Sequence, residues 1–235
     1  MSPSGPEVLI LEHDPKERSG TIAAWLEREK IPYRRARLFE RVSFPEPESL
    51  RAVVVMGGPM NVYEEEKHPF LKAENDFIRR AVDARVPYLG VCLGSQLLAK
   101  ALGARVYKAA KPEVGWMDVD LSPAAARDAF FGGVRSKKLK VFQWHEDTFD
   151  LPPGAVHLAS SPDVPNQAYA VDGLFWGLQF HVEVDRPLLE DWFRDKDSLG
   201  AILGAYDAYA PELTGLTGAM YRSFFSLSAR PSVLS

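Results

Sequence analysis

A single cysteine lies in a sequence context that suits nucleophilic chemistry. Cys92 is the only cysteine of the 235 residues, and it stands at the centre of the segment GVCLGSQ, residues 90–96. A G-x-C-x-G sequence between a strand and a helix is the cysteine form of a nucleophile elbow, a sharp turn that holds the reactive side chain clear of the sheet. The two glycines let strand and helix pack closely, and the positive end of the helix dipole favours the thiolate. The pattern also leaves open an unreactive cysteine buried in a tight turn.

The backbone near this cysteine is suited to hold the negative charge that forms on a carbonyl oxygen under attack. The amide of Leu93, the next residue, is free to donate to such an oxyanion. We predict a second donor in the turn Gly57-Gly58-Pro59, which follows a buried strand, because only a bare backbone approaches a reacting carbonyl so closely. A plain β-turn is the alternative for this tripeptide.

A thiol nucleophile needs a base within hydrogen-bond reach and a third group that orients the base. His181 ends a predicted strand, and Glu183 follows two residues later, so the strand period of two places both on one face. The carboxylate there can hold the imidazole in the required tautomer. His13, His68 and His157 are predicted to be surface or satisfied histidines, and a structural histidine beside a solvated glutamate is the alternative for the pair.

Strands and helices alternate over the first hundred residues, which indicates βαβ units around a mostly parallel sheet. We predict strands at 8–11, 33–38, 52–56 and 87–91, and helices at 15–29, 69–84 and 95–102. Asp14 is the predicted N-cap of the first helix, with Pro15 at its first position. Further strands are predicted at 104–108, 114–121, 139–144, 155–159, 167–171 and 174–181, and helices at 186–194, 198–208 and 211–228. Because no long helix separates the later strands, we expect them to form an antiparallel part of one mixed sheet.

Composition bounds the classes of protein that this chain can represent. It is 46% hydrophobic and 26% charged with a net charge of −4, the balance of an ordinary globular protein and weak evidence against a nucleic-acid partner. A lone cysteine excludes an intramolecular disulfide, and we find no secretory signal, no membrane-spanning run and no metal-ligand spacing. The sequence therefore predicts a cytoplasmic protein with no membrane or nucleic-acid partner.

Three segments together resemble a known family. The GGP turn at 57–59, the elbow at 90–96 and the segment QFHVE at 179–183 are similar to those of the class I, triad-type glutamine amidotransferases, especially the glutaminase part of GMP synthetase. The resemblance covers about residues 7–195. It implies a flavodoxin-like α/β fold in which helices flank a central, mostly parallel sheet, with a small antiparallel extension and a helical C-terminal end.

The same resemblance implies a role for each matching residue and no metal or organic cofactor. It implies Cys92 as nucleophile, His181 as base, Glu183 as its orienting carboxylate, the amides of Gly58 and Leu93 as oxyanion donors, and Gly57 and Gln96 as substrate contacts. The segment QWHED, residues 143–147, resembles the Ser-His-Gly-Asp segment that touches the amino-acid end of the substrate. Trp144 and His145 are therefore predicted substrate contacts, although Trp144 and Glu146 stand where serine and glycine are usual.

The resemblance also suggests how the chain is organised. We expect a disordered N-terminus at 1–6, an amidotransferase domain at 7–195 and a C-terminal helical extension at 196–235 that packs on the same domain. No synthetase domain follows the core, so the chain looks like a stand-alone member whose C-terminal helices could bind a partner synthetase or a second copy in a homodimer. The segment YEEEKHPF, residues 63–70, is predicted to be either a lid or a solvated approach to a helix.

The function implied is hydrolysis of the L-glutamine side-chain amide through a γ-glutamyl thioester on Cys92, with ammonia passed to an unidentified acceptor or partner synthetase. One alternative is a γ-glutamyl peptide hydrolase that uses the same Cys-His-Glu triad. Another is a binding module that has kept the fold without the activity. A nucleic-acid module is the weakest alternative, given the net charge and the absence of an aromatic-basic motif.

Overall fold

Alternate residues of the central strands face two separate hydrophobic cores, as the period of two in a strand requires. In β1 (Glu7–Glu12), Val8 and Ile10 pack into one core together with the side chains of two helices. Leu9 and Leu11 pack into the second core on the opposite face of the sheet. Strands that are buried on both faces are typical of parallel sheets covered by helices.

The computed structural model describes residues 6–40 and 43–227. In these residues the strands are β1 (Glu7–Glu12), β2 (Tyr33–Arg37), β3 (Leu50–Val55), β4 (Tyr88–Val91), β5 (Val106–Leu121), β6 (Lys138–Phe149), β7 (Val156–Ser160), β8 (Ala168–Val171) and β9 (Phe175–Leu178). The helices are α1 (Gly20–Arg28), α2 (Phe70–Asp83), α3 (Leu93–Ala101), α4 (Arg186–Phe193) and α5 (Leu199–Phe225). Residues 1–5 of the predicted disordered N-terminus and residues 228–235 of the predicted C-terminal extension lie outside the described residues.

Within the described residues the nine strands form one sheet in the order β2-β1-β3-β4-β9-β8-β7-β5-β6. The pairings from β2 through β9 are parallel, and those from β9 through β6 are antiparallel. The predicted α/β fold, with a parallel sheet, helices on its faces, an antiparallel part and a helical C-terminal end, is confirmed. Among the described residues four strand pairings are parallel and four are antiparallel, so the antiparallel part makes up half of the sheet.

The first helix begins later than predicted, and the prediction of Asp14 as its N-cap is wrong. Asp14 instead closes a short turn by accepting a hydrogen bond from the Lys16 amide at 2.9 Å. The helix starts only at Gly20, whose positive φ of 42° and close approach to the Glu183 carbonyl leave no room for a side chain. Residues 13–19 therefore form a loop, which passes over the carboxyl end of the sheet.

The two predicted C-terminal helices are one continuous helix, α5, which carries Pro211 in its interior. Proline removes a helical hydrogen bond and disfavours a helix interior by about 3 kcal/mol. Packing on both sides of the proline compensates for this loss. The Ile202 carbonyl accepts a hydrogen bond from the Trp116 indole at 3.1 Å, and the Tyr221 hydroxyl donates to the Val182 carbonyl at 3.1 Å.

Strand boundaries also differ from the prediction in the second half of the chain. The two strands predicted at 104–108 and 114–121 are one strand, β5, with a shift in its register to β6 between Lys108 and Glu113. The strand predicted at 174–181 ends at Leu178. His181 beyond it forms only an isolated bridge, in which its amide donates to the Phe142 carbonyl at 2.8 Å.

No helix in the described part of the chain is long and apolar enough to cross a membrane.

Candidate active site

Cys92 lies at the junction of β4 and α3, in a strained backbone conformation. Its φ of 50° and ψ of −109° are rare for a residue with a side chain, and such strain is typical of functional turns. The Cys92 amide donates to the Leu178 carbonyl of the neighbouring strand β9 at 2.8 Å, which fixes the turn. The side chain is 7% exposed and lies at the mouth of a cavity.

Steric contacts explain the two glycines that flank this turn. A β-carbon on Gly90 would lie 2.4 Å from the Gly94 carbonyl oxygen, and one on Gly94 would lie 2.1 Å from the Val55 carbonyl oxygen. Both distances are far inside van der Waals contact. The glycines are therefore required by the close packing of α3 on β3 and β4, as the elbow pattern predicts.

His181 and Glu183 form a buried pair beside the cysteine. The His181 Nδ1 and the Glu183 Oε1 are 2.7 Å apart, and the two side chains are 2% and 1% exposed. The His181 and Cys92 side chains line the same cavity, and both lie against Gly57. Because the carboxylate engages Nδ1, Nε2 is the ring nitrogen that remains for proton transfer.

The charge of Glu183 controls the protonation of His181. Burial alone would lower the pKa of His181, but the Glu183 charge and the hydrogen bonds with Cys92 and Glu183 outweigh it and raise the pKa well above the usual 6.5. The second carboxylate oxygen of Glu183 has no hydrogen-bond partner among the described residues. The imidazolium is therefore the main group that compensates this buried charge.

The turn Gly57-Gly58 lies against these same side chains. A β-carbon on Gly57 would be 3.2 Å from Cε1 of His181 and 3.6 Å from Cβ of Cys92, and one on Gly58 would be 2.8 Å from Cδ2 of Leu93. The Leu93 amide, at the first position of α3, has no intrahelical acceptor. The predicted oxyanion turn thus lies against the Cys92 and His181 side chains and against the first residue of α3.

The predicted substrate contacts occupy different places. Gln96 lines the cavity, and its side-chain amide donates to Gln179 Oε1 at 3.2 Å and to the Asp147 carbonyl at 3.3 Å. The Trp144 carbonyl oxygen is 3.6 Å from the Cys92 sulfur, while the Trp144 ring packs on aromatic residues of α4.

His145 is turned mainly towards the protein interior. Its Nε2 lies 2.9 Å from a carboxylate oxygen of Glu113, and its Nδ1 lies 3.0 Å from the Asp147 carbonyl. Glu113 in turn accepts hydrogen bonds from Ser161 and Gln167. His145 therefore links the loop at Asp147 to a buried polar network, an arrangement that sequence spacing does not reveal.

The cavity at this site has a volume of about 990 Å³. Its wall is formed by the loop after β1, the turn after β3, Cys92 with the start of α3, the segments around Trp144 and His181, and the end of α4 with the residues after it. Residues from these parts that line it include Glu17, Gly58, Asn61, Glu64, Cys92, Gln96, Glu146, Asp147, His181, Asp191, Asp195 and Lys196. Pockets for drug-sized ligands span roughly 300–1,000 Å³, so this cavity exceeds the needs of a single amino acid.

Two residues at the site were missed by sequence reasoning. Gln179, within the segment QFHVE, points its side-chain amide at the Cys92 sulfur at 3.8 Å. Glu17, which falls within the helix predicted at 15–29, lies instead in the loop after β1 and lines the cavity. Its carboxylate lies next to Gly57, with Oε2 3.1 Å from the position of a β-carbon there. A correct placement of the start of α1 would have revealed Glu17.

Glu17 should make stability depend on pH. Burial, only partly offset by the positive charge of His181, raises its pKa from 4.5 to about 7. The folded protein therefore holds this proton between about pH 4.5 and pH 7 while the unfolded chain releases it, so stability falls as the pH rises through that range. We expect Glu17→Gln to raise the free energy of unfolding by about 2 kcal/mol above about pH 8 and to change nothing below about pH 4.5. Urea unfolding at both pH values measures the difference.

The exposed Glu48 provides the matched control for that experiment. Glu48→Gln removes the same charge without a buried carboxylate, and its free energy of unfolding should follow that of the parent protein at both pH values. A Glu17→Gln variant whose free energy of unfolding equalled that of the parent protein above about pH 8 would contradict the assignment.

Among the described residues, no group of three or more histidine, cysteine, aspartate or glutamate side chains is arranged to hold a metal ion.

Sequence comparisons identify relatives over most of the chain. The family model described as glutamine amidotransferase class-I matches residues 31–190. The glutamine amidotransferase-like protein YfeJ of Salmonella typhimurium is 31% identical over 180 residues, which is 75% of each chain. A subunit of the glutamine-hydrolyzing GMP synthase of Sulfolobus acidocaldarius is 37% identical over 145 residues, which is 60% of this chain and 72% of that one.

Solved structures agree with these relatives. A glutamine amidotransferase of Thermotoga maritima has a TM-score of 0.86 and 32% identity, and covers 96% of this chain and 100% of its own. A glutamine amidotransferase of Methylobacillus flagellatus has a TM-score of 0.88 and 29% identity, with 99% of both chains covered. These matches confirm the family predicted from the three sequence segments. The chain belongs to the class I glutamine amidotransferases.

Proposed function

We propose that this protein hydrolyses the side-chain amide of L-glutamine to glutamate and ammonia through a γ-glutamyl thioester on Cys92. Membership of the class I glutamine amidotransferases supports glutamine amide hydrolysis in general. The observation that carries the thioester route is that Cys92, on its strained turn, lines the same cavity as His181, which Glu183 holds at 2.7 Å. A nucleophile, a base and a group that orients the base are what covalent catalysis by a thiol requires.

In the first half of the reaction the Cys92 sulfur attacks the carboxamide carbon of glutamine. The carbon–sulfur bond forms, and the carbonyl electron pair moves to oxygen, where the amides of Gly58 and Leu93 donate to the oxyanion. As the intermediate collapses, the carbon–nitrogen bond breaks and His181 gives its Nε2 proton to the departing nitrogen. Ammonia leaves, and the glutamyl group remains on the sulfur.

In the second half a water molecule replaces ammonia in the same place. His181, now neutral, takes a proton from the water, and the hydroxide attacks the thioester carbon. The carbon–sulfur bond breaks, which releases the γ-carboxylate of glutamate and restores the Cys92 thiolate beside the His181 imidazolium. Apart from the substrate and this water, every group in the two halves belongs to the residues named above.

We further propose that the substrate lies between the segments that carry Gln96 and Trp144. The Trp144 carbonyl oxygen lies 3.6 Å from the Cys92 sulfur. The Gln96 side-chain amide donates to the Asp147 carbonyl at 3.3 Å. Asp147, which Asn61 holds by a hydrogen bond from its side-chain amide, is suited to bind the α-amino group of the substrate. Gly57, beside both catalytic side chains, completes the wall of this subsite.

The ammonia is proposed to pass to an acceptor, either in this protein's own cavity or on a partner synthetase. One relative is named as one subunit of a glutamine-hydrolyzing GMP synthase, which supports a separate partner here. Residues 7–195 would form the catalytic domain, and the described part of the extension from residue 196 packs on it through α5. A second copy of the chain is the other partner that α5 could bind.

A second candidate function is hydrolysis of γ-glutamyl peptides by the same residues. The size of the cavity, about 990 Å³, supports it because the space beyond Cys92 exceeds what glutamine fills. A γ-glutamyl peptide would place its γ-glutamyl part where glutamine lies and its second residue in the remaining volume. The chemistry differs only in the leaving group, an amine in place of ammonia.

A comparison of the two substrates decides between these functions. The purified protein is incubated with L-glutamine and, separately, with γ-glutamylglycine, and the release of glutamate is followed in each case. We expect kcat/KM for glutamine to exceed that for the dipeptide. If instead kcat/KM for γ-glutamylglycine were at least about tenfold higher than kcat/KM for glutamine, γ-glutamyl peptide hydrolysis would be the correct function. That ratio corresponds to about 1.4 kcal/mol in transition-state binding.

A further inference from the structure

The Gly57-Gly58 peptide has a carbonyl and an amide that point in opposite directions, and only one orientation serves the proposed reaction. In a trans peptide the carbonyl of Gly57 and the N–H of Gly58 lie on opposite sides of the C–N bond, in one plane. If this peptide flipped, the Gly57 carbonyl oxygen would point at the developing oxyanion and repel it. Such a flip costs little free energy between two consecutive glycines, because neither has a β-carbon to prevent it.

The orientation is fixed from the side away from the cavity by His13. This residue follows β1 directly, is 2% exposed, and has its Nδ1 2.9 Å from the Gly57 carbonyl oxygen. A carbonyl oxygen only accepts hydrogen bonds, so Nδ1 is the donor. The bond holds the Gly57 carbonyl in the interior and thereby turns the Gly58 N–H towards the cavity that Gly58 lines.

His13 is in turn held by Glu74 of α2. The His13 Nε2 lies 2.9 and 3.1 Å from the two carboxylate oxygens of Glu74, and both side chains are fully buried. Burial alone would lower the pKa of His13, but the charge of Glu74 and the hydrogen bonds to Glu74 and Gly57 raise it. Because a carboxylate, like a carbonyl, accepts hydrogen bonds, Nε2 donates to Glu74 as Nδ1 does to Gly57, which makes the donor to the Gly57 carbonyl charge-assisted.

A side chain at Gly58 would crowd the residues around the turn. A β-carbon on Gly58 would lie 2.6 Å from the Met60 sulfur, 2.8 Å from a Leu93 methyl carbon and 3.0 Å from the His13 β-carbon. A side chain at Gly58 would displace these neighbours, whereas His13 sets the orientation of the turn from outside it.

From these contacts we infer that the buried pair His13–Glu74 is a positioning device that keeps the Gly58 amide aimed at the oxyanion. The inference rests on the proposed function, since it assigns the Gly58 amide to the oxyanion of that reaction. His13 and Glu74 do not touch the substrate. They act through the Gly57-Gly58 peptide, 44 residues from His13 along the chain.

The test compares His13→Leu with His13→Asn. Leucine fills the space without a donor, whereas the asparagine side-chain nitrogen can reach the position of Nδ1 and donate to the Gly57 carbonyl. Loss of one oxyanion donor lowers kcat by about 10²–10³-fold. We expect His13→Leu to lower kcat for glutamine by about 100-fold with KM changed by less than about threefold, and His13→Asn to recover about tenfold of that loss.

Alkylation of Cys92 by iodoacetamide is the internal control. This substitution at a saturated carbon needs the thiolate but forms no oxyanion, so its rate should be the same in His13→Leu and in the parent protein. A His13→Leu variant with unchanged kcat would overturn the inference. A variant whose alkylation and hydrolysis fell together would also overturn it, because His13 would then be only a structural residue.

The orientation can also be read without turnover, which separates this inference from the proposed function. If the parent protein hydrolysed neither glutamine nor γ-glutamylglycine, the proposed function would fail, and crystal structures of the parent and of His13→Leu would still decide the inference. A Gly57-Gly58 peptide that is flipped in His13→Leu supports the inference. A peptide that keeps its orientation without His13 overturns it. Glu74→Gln, which keeps an acceptor for Nε2, serves as a second variant if His13→Leu does not fold.

Discussion

Cys92→Ala is expected to abolish glutamine hydrolysis, with a loss in kcat of at least about 10⁴-fold. Without the sulfur there is no atom to form the γ-glutamyl thioester, and the remaining donors can only polarise the amide for attack by water. The variant should fold normally, because the substitution removes a single sulfur atom that lines the cavity and keeps the β-carbon. Glutamate and ammonia release, measured together on matched protein concentrations, give the rate.

Gly204→Ala provides a control for the preparation and the assay. Gly204 lies on the exposed face of α5, and no atom lies within 4 Å of the position of its β-carbon. Its substitution should leave kcat unchanged and slightly raise the stability of the helix, by up to about 1 kcal/mol. A Cys92→Ala variant that still released ammonia from glutamine at the parent rate would exclude Cys92 as the nucleophile.

Glu183→Gln is expected to lower kcat by about 10³–10⁴-fold. The glutamine amide can donate to Nδ1 and so favour the tautomer with its proton on Nε2, which cannot accept a proton from the Cys92 thiol. The substitution also removes the charge that raises the pKa of His181, while burial, which lowers that pKa, remains. The imidazolium is then lost at lower pH than in the parent.

The pH dependence of kcat/KM tests that reasoning separately from the size of the loss. In the parent protein the alkaline limb, which reports the loss of the His181 proton, should lie well above pH 6.5. In Glu183→Gln it should move to lower pH. Glu190→Gln, on the exposed surface of α4, removes a carboxylate elsewhere and should leave both kcat and the profile unchanged. An alkaline limb that stayed in place in Glu183→Gln would show that the carboxylate does not control His181.

The elements closest to the site were the most predictable from sequence. The strands before Gly57 and Cys92 are short apolar runs that are buried on both faces, a pattern that is unambiguous between turn residues. The glycines of the elbow follow from steric contact alone. The start of α1 was not predictable, because the conformation of Gly20 depends on the Glu183 carbonyl, a contact that exists only in the folded protein.

The helix that contains Pro211 shows the same limit. Local preference ends a helix at a proline, and here tertiary packing of α5 on the sheet outweighs that preference. The side-chain pairs behind the site were also out of reach. His13 and Glu74 are 61 residues apart, and Glu113 and His145 are 32 apart, so no spacing in the sequence links them. Such pairs are defined by the three-dimensional structure alone.

The central claim, a glutamyl group bound to Cys92 during turnover, is tested most directly by rapid acid quenching. The protein is mixed with L-glutamine, quenched within one turnover, digested and analysed by mass spectrometry, with Cys92→Ala as the control. We predict a glutamyl adduct on the peptide that contains Cys92, formed before glutamate appears and absent from the control. Release of glutamate and ammonia with no adduct at any time before the first turnover would contradict the thioester mechanism.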